Sequence, residues 1–99
     1  MQYSIMAFGI DCETNLICAV NLLQVVETAE EDREAELEGI QNHIEENWLW
    51  ARDHGYDFIE LIEMNKGMPR YAYRYYGPQV GWTGMKVTED YKYWRPYRA

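Results

Sequence analysis

Basic residues are nearly missing from the first two thirds of this 99-residue sequence, and cysteine and proline are scarce throughout. Cys12 and Cys18 are the only cysteines. Two thiols are too few for a disulfide scaffold, and they lack the CxxC spacing of a zinc site. A Cys12–Cys18 bridge is sterically accessible but is not expected in a reducing compartment. The longest apolar run, residues 16–26, is interrupted by Asn21 and Gln24. It falls short of the roughly 20 residues a membrane-spanning helix needs, so no membrane span is expected. Met1-Gln2-Tyr3-Ser4 carries no basic region, so no signal peptide is expected and the cytoplasm is the expected location.

What is present is a core. Hydrophobic residues make up 47% of the chain and aromatics 15%, which excludes disorder and suits one domain over residues 1–99. The net charge is −8 and unevenly placed. Residues 1–63 hold fifteen acids and two bases, Arg33 and Arg52, whereas residues 64–99 hold two acids and seven bases. Such asymmetry bears on partners rather than on fold.

Residues 2–10 alternate loosely and are rich in Tyr, Ile and Phe, which predicts a strand. After the polar turn Asp11-Cys12-Glu13-Thr14-Asn15, residues 16–26 run almost continuously apolar, as a strand buried on both faces does. Thr28-Ala29-Glu30-Glu31 matches a capping box, and Leu37, Ile40, Ile44, Trp48 and Ala51 then recur at helical spacing. With Gly55 as its C-terminal cap, this predicts one long helix over about residues 29–54, with a bend at Gly39 if anywhere. Residues 56–64 and 69–76 read as a hairpin turned at Asn65-Lys66-Gly67, and residues 80–87 as a short fifth strand. The fold class expected is α+β, ββαββ(β), with the helix packed on a mixed or antiparallel sheet. The tail over residues 88–99 is expected to pack down.

Nine of the seventeen acids lie between Glu27 and Glu46, with Arg33 the one counter-charge. Glu30, Glu34 and Glu38 stand at i, i+4, i+8 and repel one another, which the helix dipole does not explain. Glu30, Glu31, Glu34, Glu38 and Glu45 are therefore candidate partner-binding residues. They form either a solvated outer face or an anionic surface for a basic protein, with carboxylates spaced loosely like phosphates of a nucleic acid.

The C-terminal third offers a second candidate. Arg70, Arg74 and Tyr76 share one strand face, opposite Tyr71, Tyr73 and Tyr75, and Lys92, Trp94 and Arg95 continue the mix. Arginine beside aromatic rings suits single-stranded nucleic acid or a protein interface. Alternatively, Tyr71, Tyr73 and Tyr75 face the core while the arginines pair with the acidic helix.

No catalytic constellation is visible. Asp53 and His54 are sequence neighbours without a nucleophile, and His43 and His54 lie three helical turns apart, too far for one metal ion. No metal and no cofactor are expected.

In size, charge and the acidic stretch between Glu27 and Glu46, the chain resembles at class level the small acidic inhibitors of phages and mobile elements, such as anti-CRISPR and anti-restriction proteins. That resemblance implies a protein partner that acts on nucleic acid, in the cytoplasm of a host cell. The succession Ala51-Arg52-Asp53-His54-Gly55-Tyr56, Phe58-Ile59-Glu60-Leu61 and Tyr73-Arg74-Tyr75-Tyr76-Gly77 faintly resembles the C-terminal half of GCN5-like acetyltransferases. In that family a glycine-rich loop binds the acetyl-CoA pyrophosphate at the helix start. Here Glu31-Asp32-Arg33-Glu34-Ala35-Glu36 lacks the glycines and sets carboxylates where phosphate would sit. The expectation is a non-enzymatic binding protein of inhibitor type. A nucleic-acid-binding module is the alternative, and a degenerate acetyltransferase fold the third reading.

Overall fold

The computed structural model describes residues 2–11, 13, 14, 16–87 and 91. Strands β1 (Gln2–Ile10) and β2 (Ile17–Glu27) form the expected hairpin. Its turn is held by Asp11, whose Oδ1 accepts the amides of Glu13 at 2.8 Å and Thr14 at 3.1 Å. A 3-10 turn (Glu30–Asp32) leads into helices α1 (Arg33–Glu46) and α2 (Trp48–Asp53). Strands β3 (Phe58–Asn65), β4 (Met68–Tyr75) and β5 (Trp82–Lys86) follow. The sheet order is β2-β1-β3-β4-β5, with every neighbouring pair antiparallel, so the helical segment carries the chain from β2 past β1 to β3.

The turns follow from their residues. Lys66 and Gly67 both have positive φ, 52° and 78°, as a two-residue hairpin with matching twist requires. Gly55, at φ 84°, closes α2 in a Schellman arrangement: its amide donates to the Arg52 carbonyl and that of Tyr56 to the Ala51 carbonyl. Gly77 combines φ 104° with a tight approach, since a Cβ there would lie 2.8 Å from Trp48 Nε1. Only glycine fits.

Two expectations need correction. The single helix over residues 29–54 is interrupted, and at Asn47 rather than Gly39. The Asn47 amide is shared between the carbonyls of His43 and Ile44, both at 3.2 Å, while its side-chain nitrogen donates to the same His43 carbonyl at 2.9 Å. An asparagine side chain competing for a backbone acceptor loosens the helical turn. Nor is Thr28 the cap of the α-helix proper; α1 begins after Asp32, without a side-chain cap.

The second correction concerns β2. It lies at the sheet edge, and Ile17, Val20, Leu22 and Val25 are exposed rather than buried on both faces.

The core lies between the helices and one face of the sheet. Tyr3, Ile5 and Ala7 of β1, Ile59 and Leu61 of β3 and Tyr75 of β4 meet Ile44, Trp48 and Ala51. Leu37 and Ile40 are only half-buried. On the other face a smaller cluster joins Ile10, Phe58 and Tyr76, with Phe8 stacked on Phe58 at 4.9 Å.

Ile44→Ala should destabilise the domain by about 2–5 kcal/mol in urea denaturation, because its side chain is buried against the sheet. The two glycines should respond with opposite signs. Gly39→Ala, in an exposed helix interior with nothing near its absent Cβ, should stabilise by about 0.5–1 kcal/mol, whereas Gly77→Ala should destabilise.

Candidate binding surfaces

The outer face of α1 follows from its inner one. With Ile44 turned to the sheet, Glu31, Glu34, Glu38, Glu45 and Glu46 are exposed. The Glu30 side chain lies outside the described residues. The one cation of this segment is turned away from them. Arg33 Nη2 reaches Glu63 on β3, at 3.1 Å from Oε1 and 3.2 Å from Oε2. Glu63 is buried and also accepts the Tyr3 hydroxyl at 3.4 Å. The Glu63 charge raises the pKa of Arg33, and burial followed by the same charge raises that of Tyr3. Glu45 stands apart from the other acids, because its Oε1 accepts the Trp82 indole N–H from β5 at 2.9 Å.

The second candidate group is divided by the sheet. Arg70 is exposed, but Arg74 and Tyr76 are buried, and Lys92, Trp94 and Arg95 lie outside the described residues. Arg74 Nε donates to Glu60 Oε2 at 2.8 Å, and its guanidinium sits 5.0 Å from the Phe58 ring. Burial alone would lower the Arg74 pKa, but hydrogen bonds to Glu60 and Tyr76 hold it above its ordinary value. Tyr91 covers the pair, its hydroxyl donating to Glu60 Oε1 at 2.7 Å. This salt bridge is part of the interior. The partner of Arg74 is thus β3, not the acidic helix. Tyr71 and Tyr73 lie half-buried with Tyr75 on the helix-facing side, their rings 4.6 Å apart.

Sequence reasoning missed a third surface. Trp50 is exposed, lies tilted against the His54 ring at 4.3 Å and borders a cleft of about 270 Å³ between α1 and β2. Ile5, Leu23, Ile44 and Ile59 line it, with His43 and Asn47 at the rim. The volume suits a side chain or two and is small for a cofactor site. The signal available in sequence was Trp50 itself, which falls off the Ile44–Trp48–Ala51 stripe.

Among the described residues no three His, Cys, Asp or Glu side chains converge as metal ligands, and no helix is long and apolar enough to cross a membrane. His43 and His54 are exposed and occupied locally, His43 near Asn47 and His54 Nδ1 at 2.7 Å from the Trp50 carbonyl. At the start of α1, where the acetyltransferase comparison would set a pyrophosphate, Glu31, Asp32 and Glu34 are exposed. No family model, curated protein or solved structure matches the chain.

Burial, then the hydrogen bond to Glu60 and its charge, push the Tyr91 phenol up to about 12. Its unfolded value is about 10. The neutral phenol therefore contributes stability that is complete below about pH 10 and lost as pH rises through about 12. Phenolate absorbance should show a late step near pH 12 that disappears in Tyr91→Phe. That variant should cost about 1.5–3 kcal/mol, the range for a hydrogen bond to a charged group.

Proposed function

We propose that this chain is a non-enzymatic binding protein of inhibitor type, which presents the outer face of α1 to a basic surface on a partner that acts on nucleic acid. The observation that carries the reading is the fate of Arg33. Its guanidinium is committed to Glu63, so Glu31, Glu34 and Glu38 keep their charge toward solvent without a cation from the same helix. Carboxylates repelling at i, i+4 cost a few tenths of a kcal/mol per pair, a cost that binding to a cationic partner reverses. Association would be steered by charge and therefore fastest at low salt. The expected setting is a cytoplasm, that of the host cell if the chain is carried by a phage. The nucleic-acid-binding alternative loses support from the burial of Arg74 and Tyr76, since neither is available to a base or phosphate.

The double variant Glu34→Lys, Glu38→Lys tests the reading. It should fold as the parent does, and with slightly higher stability, because it relieves like-charge pairs. Captured from lysate under matched conditions, basic proteins that act on nucleic acid should be enriched on the parent at low salt and lost from the variant. Equal capture by both would sink the acidic-face reading. A salt-sensitive shift of single-stranded oligonucleotides by the parent would favour the alternative.

A further inference from the structure

We infer that β2 is the seam of a homodimer, in which two copies pair their β2 strands antiparallel across a two-fold axis and join two five-stranded sheets into one of ten. β2 is the longest strand, at 11 residues, and among the described residues only β1 pairs with it. Its composition is that of a strand covered on both faces. Val20, Leu22 and Val25 nevertheless stand 55%, 57% and 47% exposed on the side away from the helices. On the other side, Leu23 and Trp50 border the apolar cleft.

Edge strands in soluble proteins are protected by charge, proline or shortness. β2 has no proline and one charge, Glu27. Its protection is two irregularities: pairing with β1 shifts between Ile5 and Met6, which leaves Leu23 as the extra residue, and again between Gly9 and Ile10. A bulge bends an edge but leaves its apolar side chains in water.

The occupant must be nearly uncharged and apolar on the face that carries Val20, Leu22 and Val25, and β2 itself meets that description. Electrostatics fixes the direction. An antiparallel seam puts the two Glu27 carboxylates at opposite ends, up to about 34 Å apart at 3.4 Å per residue, far beyond the roughly 8 Å Debye length. A parallel seam would set them side by side. A basic partner gains nothing from this edge, so the seam is independent of the acidic face of α1. The strip is about 37 Å long and, at a sheet thickness of about 10 Å, offers roughly 370 Å² per copy. That is about half of a standard interface, the size of a weak or transient association.

Sedimentation equilibrium of the full chain from about 1 to 300 μM is the test, a range suited to a weak association. The mass should rise from 11.8 kDa toward twice that value. It should rise further with salt, because two bodies of charge −8 repel less when screened. Binding through the acidic face would weaken under the same change. Val20→Lys with Leu22→Lys, both at exposed positions, should leave circular dichroism unchanged and raise the dissociation constant by about tenfold or more. Amide exchange of β2 should slow as concentration rises. A monomer at 300 μM in high salt would overturn the seam, even if Val20 and Leu22 proved covered by another segment of the chain. So would a dimer that survives the lysine variant, or one whose concentration-dependent protection falls on α1 or β5.

Discussion

A helix with its side chains is about 10 Å across, and strands repeat about every 4.8 Å, so one helical segment roofs two or three strands of a sheet. Here the sheet has five, and the arrangement of the molecule follows from that shortfall. α1 and α2 take the middle, where Ile44, Trp48 and Ala51 meet β1, β3 and Tyr75 of β4. The margins are tied in by Trp82 of β5, which packs on Tyr75 and donates to Glu45, and by β2, where Leu23 and Val26 touch the core and Asn21 donates to the Tyr56 hydroxyl. Trp48 and Tyr75 meet edge to face, their ring centroids 5.4 Å apart, and join the helices to β4. What the helices cannot cover is the outer part of β2.

The same sheet dictates the charges. Glu60 and Glu63 lie three residues apart on β3, so they point to opposite faces, and both are buried. A buried carboxylate left without a partner is strongly destabilising. Each takes an arginine from a different element, Glu60 from β4 and Glu63 from α1. Arg33 is one of two bases in the first 63 residues, and its commitment to β3 leaves the exposed glutamates of α1 with one another. The ridge is thus the by-product of an internal salt bridge as much as of its own composition.

Much of this fold could be read in the residues. The alternation of β1, the Lys66-Gly67 turn, the Ile44–Trp48–Ala51 stripe and the Gly55 cap are local signals, and all lie where periodicity and turn chemistry place them. The alternation of β4 also set Arg74 apart from Tyr71, Tyr73 and Tyr75. It could not tell which face is filled, and Arg74 and Tyr76 lie inside because Phe58, Glu60 and Tyr91 close around that face. The break at Asn47 rests on one side-chain bond to His43, too local for a periodic pattern to reveal. β2 misled for a deeper reason. Composition records what a strand is covered by, without saying whether the cover comes from the same chain.

A long apolar edge raises the question of why pairing would stop at two copies rather than run on as a filament. A two-fold seam is isologous: it consumes the β2 edge of both copies at once and offers no further β2 to a third. Among the described residues the remaining edge at each end is β5, which differs in every feature that matters. It is five residues long, its middle is Gly84, and Thr83 and Lys86 are exposed. Short edges with glycine and lysine pair poorly. Pairing Tyr71 of β4 with Lys86 also brings the Tyr71 ring against Gly84, where a Cβ would lie only 2.7 Å from the ring. The glycine that weakens this edge is therefore demanded by β4. Closure at two follows from one edge built to pair and another that the packing beneath it keeps short and plain.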